Sequence, residues 1–184
     1  YAYDETMLLH KGDEEHPERP DRLSTIHSHL EGKGLLQRMN RLPTGRLATR
    51  DELCLAHTKK HVERVMEFQR DPSLLKVVDL IDDEDGGDDD DVEDCFSTAS
   101  SARQRGYLHP FTPDTYVCQA TPLAARLAAG AVLSLVDSIV EEGGSRRGFA
   151  AIRPPGHHAT ADKAMGFCWF NNAALAASYA IDRY

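Results

Sequence analysis

An α/β fold, with a parallel sheet flanked by helices, is what this sequence predicts, and three observations carry the prediction. A long helical pattern opens at Thr121-Pro122 and closes at Gly143-Gly144. The apolar run at residues 148–152 has the length of a strand buried on both faces, and Arg153-Pro154-Pro155-Gly156 closes it. An alanine-rich helical pattern then follows Asn172. Helix, buried strand, loop and helix in that order are the signature of α/β architecture.

Tyr1-Ala2-Tyr3 is short and aromatic and reads as a first strand, followed by a charged, histidine-rich loop to Pro17. From Pro20 the apolar positions Leu23, Ile26 and Leu30 keep helical spacing, with proline tolerated in the first turn and Gly32 and Gly34 marking the end. Thr49-Arg50-Asp51-Glu52 has the form of a capping box, in which hydroxyl and carboxylate each satisfy a free backbone donor, so a short helix starts there. Thr58 caps a second helix whose face is Val62, Val65, Met66 and Gln69, and Pro72 ends it. Residues 82–94 are almost entirely acidic and bury nothing, so they are expected to be a disordered insertion. In the long helix, Leu123, Leu127, Leu133, Val136, Ile139 and Val140 interleave with alanines.

The 184 residues suit one domain. The sequence opens on Tyr1 rather than methionine, and its last apolar run has no closing glycine, proline or polar tail; residues 1–184 are therefore expected to be part of a domain. Such a piece would leave parallel strand edges unpaired and is expected to be unstable alone. A net charge of −9 argues against a nucleic-acid grip, which needs clustered Lys and Arg, and tolerates a basic partner segment better. The four cysteines are scattered without Cys-x-x-Cys spacing, which fits free thiols in a reducing, intracellular compartment. No leader pattern and no apolar run near the ~20 residues of a membrane span is read, so no membrane partner is expected.

Ligands of open α/β sheets bind beyond the carboxyl ends of the strands, and Pro154-Pro155-Gly156-His157-His158 occupies such an end. Two prolines with fixed φ hold the histidines rigidly. Adjacent imidazoles cannot both protonate cheaply, so one can act as base while the other stays an electrostatic partner. His57 and His61 have the i, i+4 spacing of a metal chelate, but Thr58 as helix start puts His57 outside the helix, and no metal site is expected from them.

Arg153-Pro-Pro-Gly-His-His-Ala159, with Gly166-Phe167-Cys168-Trp169-Phe170-Asn171-Asn172 close behind, strongly resembles the class II histone deacetylases. Tyr3-Asp4 with Met7 and His10, His16-Pro17-Glu18-Arg19-Pro20-Asp21-Arg22, and Asp114-Thr115-Tyr116 agree with that resemblance, which covers nearly the whole chain outside the acidic insertion. It implies an arginase/deacetylase-like parallel sheet and hydrolysis of the acetyl-lysine amide of a histone or other protein. His158 matches the general base and His157 its electrostatic partner. Gly166 and Phe167 match the pair lining the acyl-lysine tunnel. Arg22 resembles the arginine beneath the site that hydrogen-bonds backbone carbonyls or departing acetate, and Thr115 falls where relatives place a rim hydroxyl.

The resemblance also implies a Zn²⁺ ion held by an Asp-x-His motif and a later aspartate, assisted by a tyrosine. All of these are expected beyond residue 184, leaving no metal ligand in this chain and the isolated piece inactive. Corepressor-type protein partners and a nuclear or cytoplasmic location are implied as well. Two other readings stay open: a catalytically dead deacetylase-like binding or scaffold module, and a related arginase-fold amidohydrolase such as a polyamine deacetylase.

Overall fold

The computed structural model describes residues 1–70, 112, 114–141, 144 and 146–184. The acidic insertion expected at residues 82–94 and the helix end expected at Pro72 lie outside the described residues. The helices are α1 (Pro20–Gly32), α2 (Arg50–Leu53), α3 (Lys59–Arg70), α4 (Thr121–Val140) and α5 (Asn172–Arg183), with 3-10 turns at Glu5–Leu9 and Leu36–Arg38.

The helix starts follow the local chemistry read above. Pro20 opens α1 in its first turn. At α2 the Thr49 hydroxyl accepts from the Glu52 N–H at 3.2 Å while the Glu52 carboxylate accepts from the Thr49 N–H at 2.7 Å, a complete capping box. Thr58 accepts from the His61 N–H at 3.3 Å and heads α3, so His57 stands before the helix. In α3, Val62 and Val65 are buried as the spacing predicts, together with Phe68, which the predicted face omitted.

The predicted sheet is reduced to its first contact. Residues 1–3 and 149–151 run parallel, as expected, and pair through one bridge, Ala2 to Ala150. The Ala2 N–H donates to Phe149 O at 3.0 Å and the Ala151 N–H to Ala2 O at 2.9 Å. No longer ladder is present among the described residues. The pairing stops because both chains turn away. The Asp4 carboxylate accepts from the Thr6 N–H at 2.9 Å and starts a 3-10 turn, and Pro154 has no N–H to continue a ladder. Nor is residue 149 buried on both faces, since the Phe149 ring is 46% exposed.

Helix α4 carries the core, and its small residues do most of the packing. Ala124, Ala125, Ala128, Ala129 and Gly130 are buried beside Leu127 and Leu133, whereas Ile139 and Val140 of the predicted apolar face are exposed and the helix ends at Val140, short of Gly143-Gly144. One core cluster joins α3, α4 and α5 through Val62, Val65, Leu133, Trp169, Phe170 and Leu175; the other sets Leu127 and Ala128 against Tyr3, Met7 and Leu23. Contrary to the expectation from the sequence, α4 is by its 20 residues and composition long and apolar enough to cross a membrane; here it packs against α3, α5 and the turn at Glu5–Leu9.

The tightest approach is at Gly130, where an added Cβ would stand 2.1 Å from the carbonyl oxygen of Arg46. Glycine to alanine in a helix interior ordinarily stabilises. Here the new methyl meets backbone that cannot swing aside, so Gly130→Ala is expected to destabilise by about 1–3 kcal/mol. Thermal unfolding of the variant checks this, and an unchanged or higher Tm would show that the 46–48 segment yields.

Candidate active site

The loop at residues 154–158 is anchored at both ends. On its far side Asn171 caps α5, its side-chain oxygen accepting from the Ala174 N–H at 3.0 Å, and its amide donates to Ala159 O at 2.9 Å. The Ala173 N–H donates to Gly156 O at 3.4 Å, so the start of α5 holds the loop from below.

On the near side stands Arg153. Its guanidinium, only 2% exposed, donates through Nε to Glu18 Oε1 at 3.0 Å, through Nη2 to Glu18 Oε2 at 2.7 Å and to the Tyr116 hydroxyl at 3.0 Å, and through Nη1 to Met7 O at 3.0 Å and to His10 O. All five N–H donors are thereby used. Glu18 is equally buried, and Tyr116 adds a hydrogen bond of 2.9 Å to its Oε2. Burial, and next the Glu18 charge, push the Tyr116 phenol far above its ordinary range, so it remains a donor. Burial and the nearby Arg153 charge hold His10 well below the usual imidazole range, and it stays neutral against Thr121 Oγ1 at 2.9 Å.

His157 and His158 are exposed, with ring centroids 4.1 Å apart and planes inclined at 46°. Cys168 ties them to the second motif: the His158 N–H donates to its Sγ at 3.4 Å, and the thiol donates to Gly166 O at 3.2 Å. Met165 and Cys168 exchange two backbone hydrogen bonds of 3.1 and 3.0 Å around Gly166 (φ 57°) and Phe167 (φ 66°). Positive φ at both central residues is the requirement of a type I′ turn. A Cβ at Gly166 would lie 2.7 Å from Cβ and Cγ of His158, so glycine is also what lets the histidine pack against the turn. The structure thus brings together five of the six sequence-predicted site residues: His157, His158, Gly166, Phe167 and, behind the turn, Thr115.

Thr115 and Arg22 are placed differently from the roles implied by resemblance. Thr115 is fully buried rather than at a rim, and its hydroxyl accepts from the Phe167 N–H at 3.1 Å, so it supports the turn from behind. Arg22 is exposed in the first turn of α1 and lines a cleft of about 140 Å³ with Ala151, Ile152, Arg153 and Pro155. The bonds to backbone carbonyls expected of Arg22 are made by Arg153. Sequence reading missed Arg153, Glu18 and Tyr116 as parts of the site, although each lies inside a quoted motif.

His57 and His61 are structural. The His57 Nε2 accepts from the Asn171 N–H at 2.9 Å, which leaves the proton on Nδ1, facing Ala161 O at 3.3 Å. His61 Nε2 donates to Trp169 O at 2.9 Å. Among the described residues no three His, Cys, Asp or Glu side chains converge to hold a metal ion. The described residues do not supply the ligand set of the zinc centre that the resemblance implies.

Comparison with known proteins shows the family of the chain. The histone deacetylase domain model matches residues 16–184. Histone deacetylase 5 of Arabidopsis thaliana is 37% identical over 182 residues, covering 98% of this chain and 23% of that protein. Polyamine deacetylase HDAC10 of Homo sapiens is 36% identical over 179 residues, 97% of this chain and 22% of that one. The crystal structure of the HDA15 HD domain superposes with a TM-score of 0.71 at 37% identity, covering 98% of this chain and 42% of that chain. The fold is that of part of a deacetylase catalytic domain, with one parallel bridge of a sheet among the described residues. The chain belongs to the histone deacetylase family, and it spans less than a quarter of the length of the two curated relatives named.

Burial, and then the neighbouring His61, lower the pKa of His57 from 6.5 to about 4. A depressed folded-state pKa means that the unfolded chain binds the proton first, so the stability it contributes is complete above pH 6.5 and is lost as pH falls towards about 4. The full loss is on the order of 3 kcal/mol, of which about 2 kcal/mol falls between pH 7.5 and pH 5. Urea unfolding at about pH 5 and about pH 7.5 is expected to show it, with a smaller difference in His57→Gln. An equal difference in the variant would assign the effect to other groups.

Proposed function

We propose that this chain provides the base side of a zinc-dependent protein lysine deacetylase, the metal being held by residues outside those described. The observation that carries the reading is the packing of His158 against Gly166 of the Gly166-Phe167 turn, which sets a pair of imidazoles beside that turn. An uncharged acyl-lysine stem laid along Phe167 would bring its amide to the histidines. His158 would take a proton from the attacking water as its oxygen bonds to the carbonyl carbon, and would return that proton to the lysine nitrogen as the C–N bond breaks. His157, at 4.1 Å between ring centroids, would hydrogen-bond the water and favour the charge that develops on oxygen.

An acylated polyamine is the second reading, and the 36% identity to HDAC10, named a polyamine deacetylase, favours carrying it. Both substrates present a neutral amide on an aliphatic stem, so the histidine chemistry is common to them. In the full-length protein, an acetyl-lysine peptide is expected to be hydrolysed faster than an acetylated polyamine. The reverse order would select the second reading, and no turnover of either would leave a binding module. In an active protein, His158→Ala is expected to lower turnover at least ~10²-fold. Undiminished turnover in that variant would remove His158 from the role of base.

A further inference from the structure

We propose that Glu18, Arg153 and Tyr116 form a positioning unit that sets the separation between the histidine pair and the Phe167 wall, and so control turnover without touching substrate. The inference rests on the deacetylase reading of the same site. Its basis is that the two halves of the site are carried by separate attachments which meet at one buried ion pair.

The histidine half hangs from Arg153. That residue follows the parallel bridge directly and roots the loop: its N–H donates to Met7 Sδ at 3.4 Å, and its guanidinium is bonded to Met7 O and His10 O. Only Pro154, Pro155 and Gly156 separate it from His157. The two prolines leave little torsional slack, so displacement of Arg153 is passed along to the imidazoles.

The wall half hangs from Glu18 and Tyr116. The Glu18 N–H donates to His16 Nδ1 at 3.0 Å, leaving the Nε2 proton to be donated to Asp114 O at 3.1 Å. His16 makes T-shaped contacts with both the Phe167 ring, with centroids 5.1 Å apart, and the Tyr116 ring, at 4.8 Å. Tyr116 also follows Thr115, whose hydroxyl holds the Phe167 N–H. Phe167 is thus located by two routes, through His16 and through Thr115, which join the backbone of the two residues whose carboxylate and phenol bind Arg153.

Glu18, Arg153 and Tyr116 are each 2% exposed, which keeps them from substrate. An apolar replacement of similar volume often matches or exceeds the stability of a buried ion pair. A bidentate guanidinium-carboxylate pair supplies what such a replacement lacks, a fixed distance and angle between two segments. Reacting atoms are sensitive to such placement, since a displacement of about 1 Å can cost ~10²-fold in rate.

The test uses the full-length protein and two variants. Tyr116→Phe removes the hydroxyl that bridges Arg153 and Glu18 without leaving a buried charge unpaired, and Glu18→Gln weakens the pair itself. For Tyr116→Phe, kcat on an acetyl-lysine peptide is expected to fall about 10-fold or more while KM stays within about 2-fold. Amide hydrogen exchange over residues 154–159 and 165–168 is expected to quicken about 10-fold while the α4 core keeps its protection. Glu18→Gln is expected to go further in the same direction; if it does not fold, Tyr116→Phe decides alone. Unchanged kcat and local exchange in folded Tyr116→Phe would overturn the proposal. So would exchange that quickens equally in α4, which marks a merely structural role, or a raised KM with kcat retained, which marks contact with substrate. Absence of hydrolysis in the unsubstituted protein would defeat the deacetylase reading instead, and local exchange would still decide whether the unit orders the loop and the turn.

Discussion

A guanidinium and a carboxylate removed from water together must recover their hydration from one another and from their neighbours, and the rest of this structure is arranged around that requirement. Taking such charges out of water costs several kcal/mol per ion, and the cost is offset only when geometry is good and every remaining donor and acceptor is met. Glu18 and Arg153, 135 residues apart in sequence, meet it by bringing in the Tyr116 hydroxyl and the carbonyls of Met7 and His10. The loop from Asp4 to Pro17 cannot lie elsewhere without leaving charge unpaired. That loop, the end of the bridge at Ala150 and the segment before α4 are therefore drawn to one point, directly beneath the histidines.

The same constraint explains which parts of the fold were legible from sequence. Helix starts were, because their determinants are local: Pro20 has no N–H to leave unsatisfied, the Thr49-Glu52 box and Thr58 satisfy orphan donors within four residues, and the structure shows each of them. The histidine loop and the Gly166-Phe167 pair were legible as motifs. The burial of Arg153 was not, because nothing near it in sequence reveals a partner as distant as Glu18; an arginine is by composition a surface residue. The support that Thr115 gives the turn was not legible for the same reason, its hydroxyl accepting from a backbone N–H 52 residues away.

Helix α4 shows a different limit. Periodicity weighs large side chains, and so points to Ile139 and Val140, which are exposed, while the close contact is made by alanines and Gly130. Small residues bury little area each but let backbones approach, and a hydrophobic pattern does not register that. Of the sheet, the described residues show one bridge. The parallel direction was right, yet Asp4 and Pro154 end the pairing after one bridge, for reasons of turn chemistry that an apolar run does not display.

Phe167 joins these threads. A type I′ turn places both central residues at positive φ, which Gly166 adopts freely and which costs a residue with a Cβ roughly 1–2 kcal/mol. Such strain persists only where the surroundings over-determine it. Here they do: Thr115 holds the Phe167 N–H, His16 makes a T-shaped contact with the ring, and Cys168 bonds both the turn and the histidine loop. A glycine at this position would relieve the backbone but remove the ring, while a phenylalanine in a relaxed turn would point it elsewhere. The strained turn that carries the ring and packs through Gly166 against His158 is therefore held by the buried network, so the geometry of the site and the stability of its support are one property of the fold.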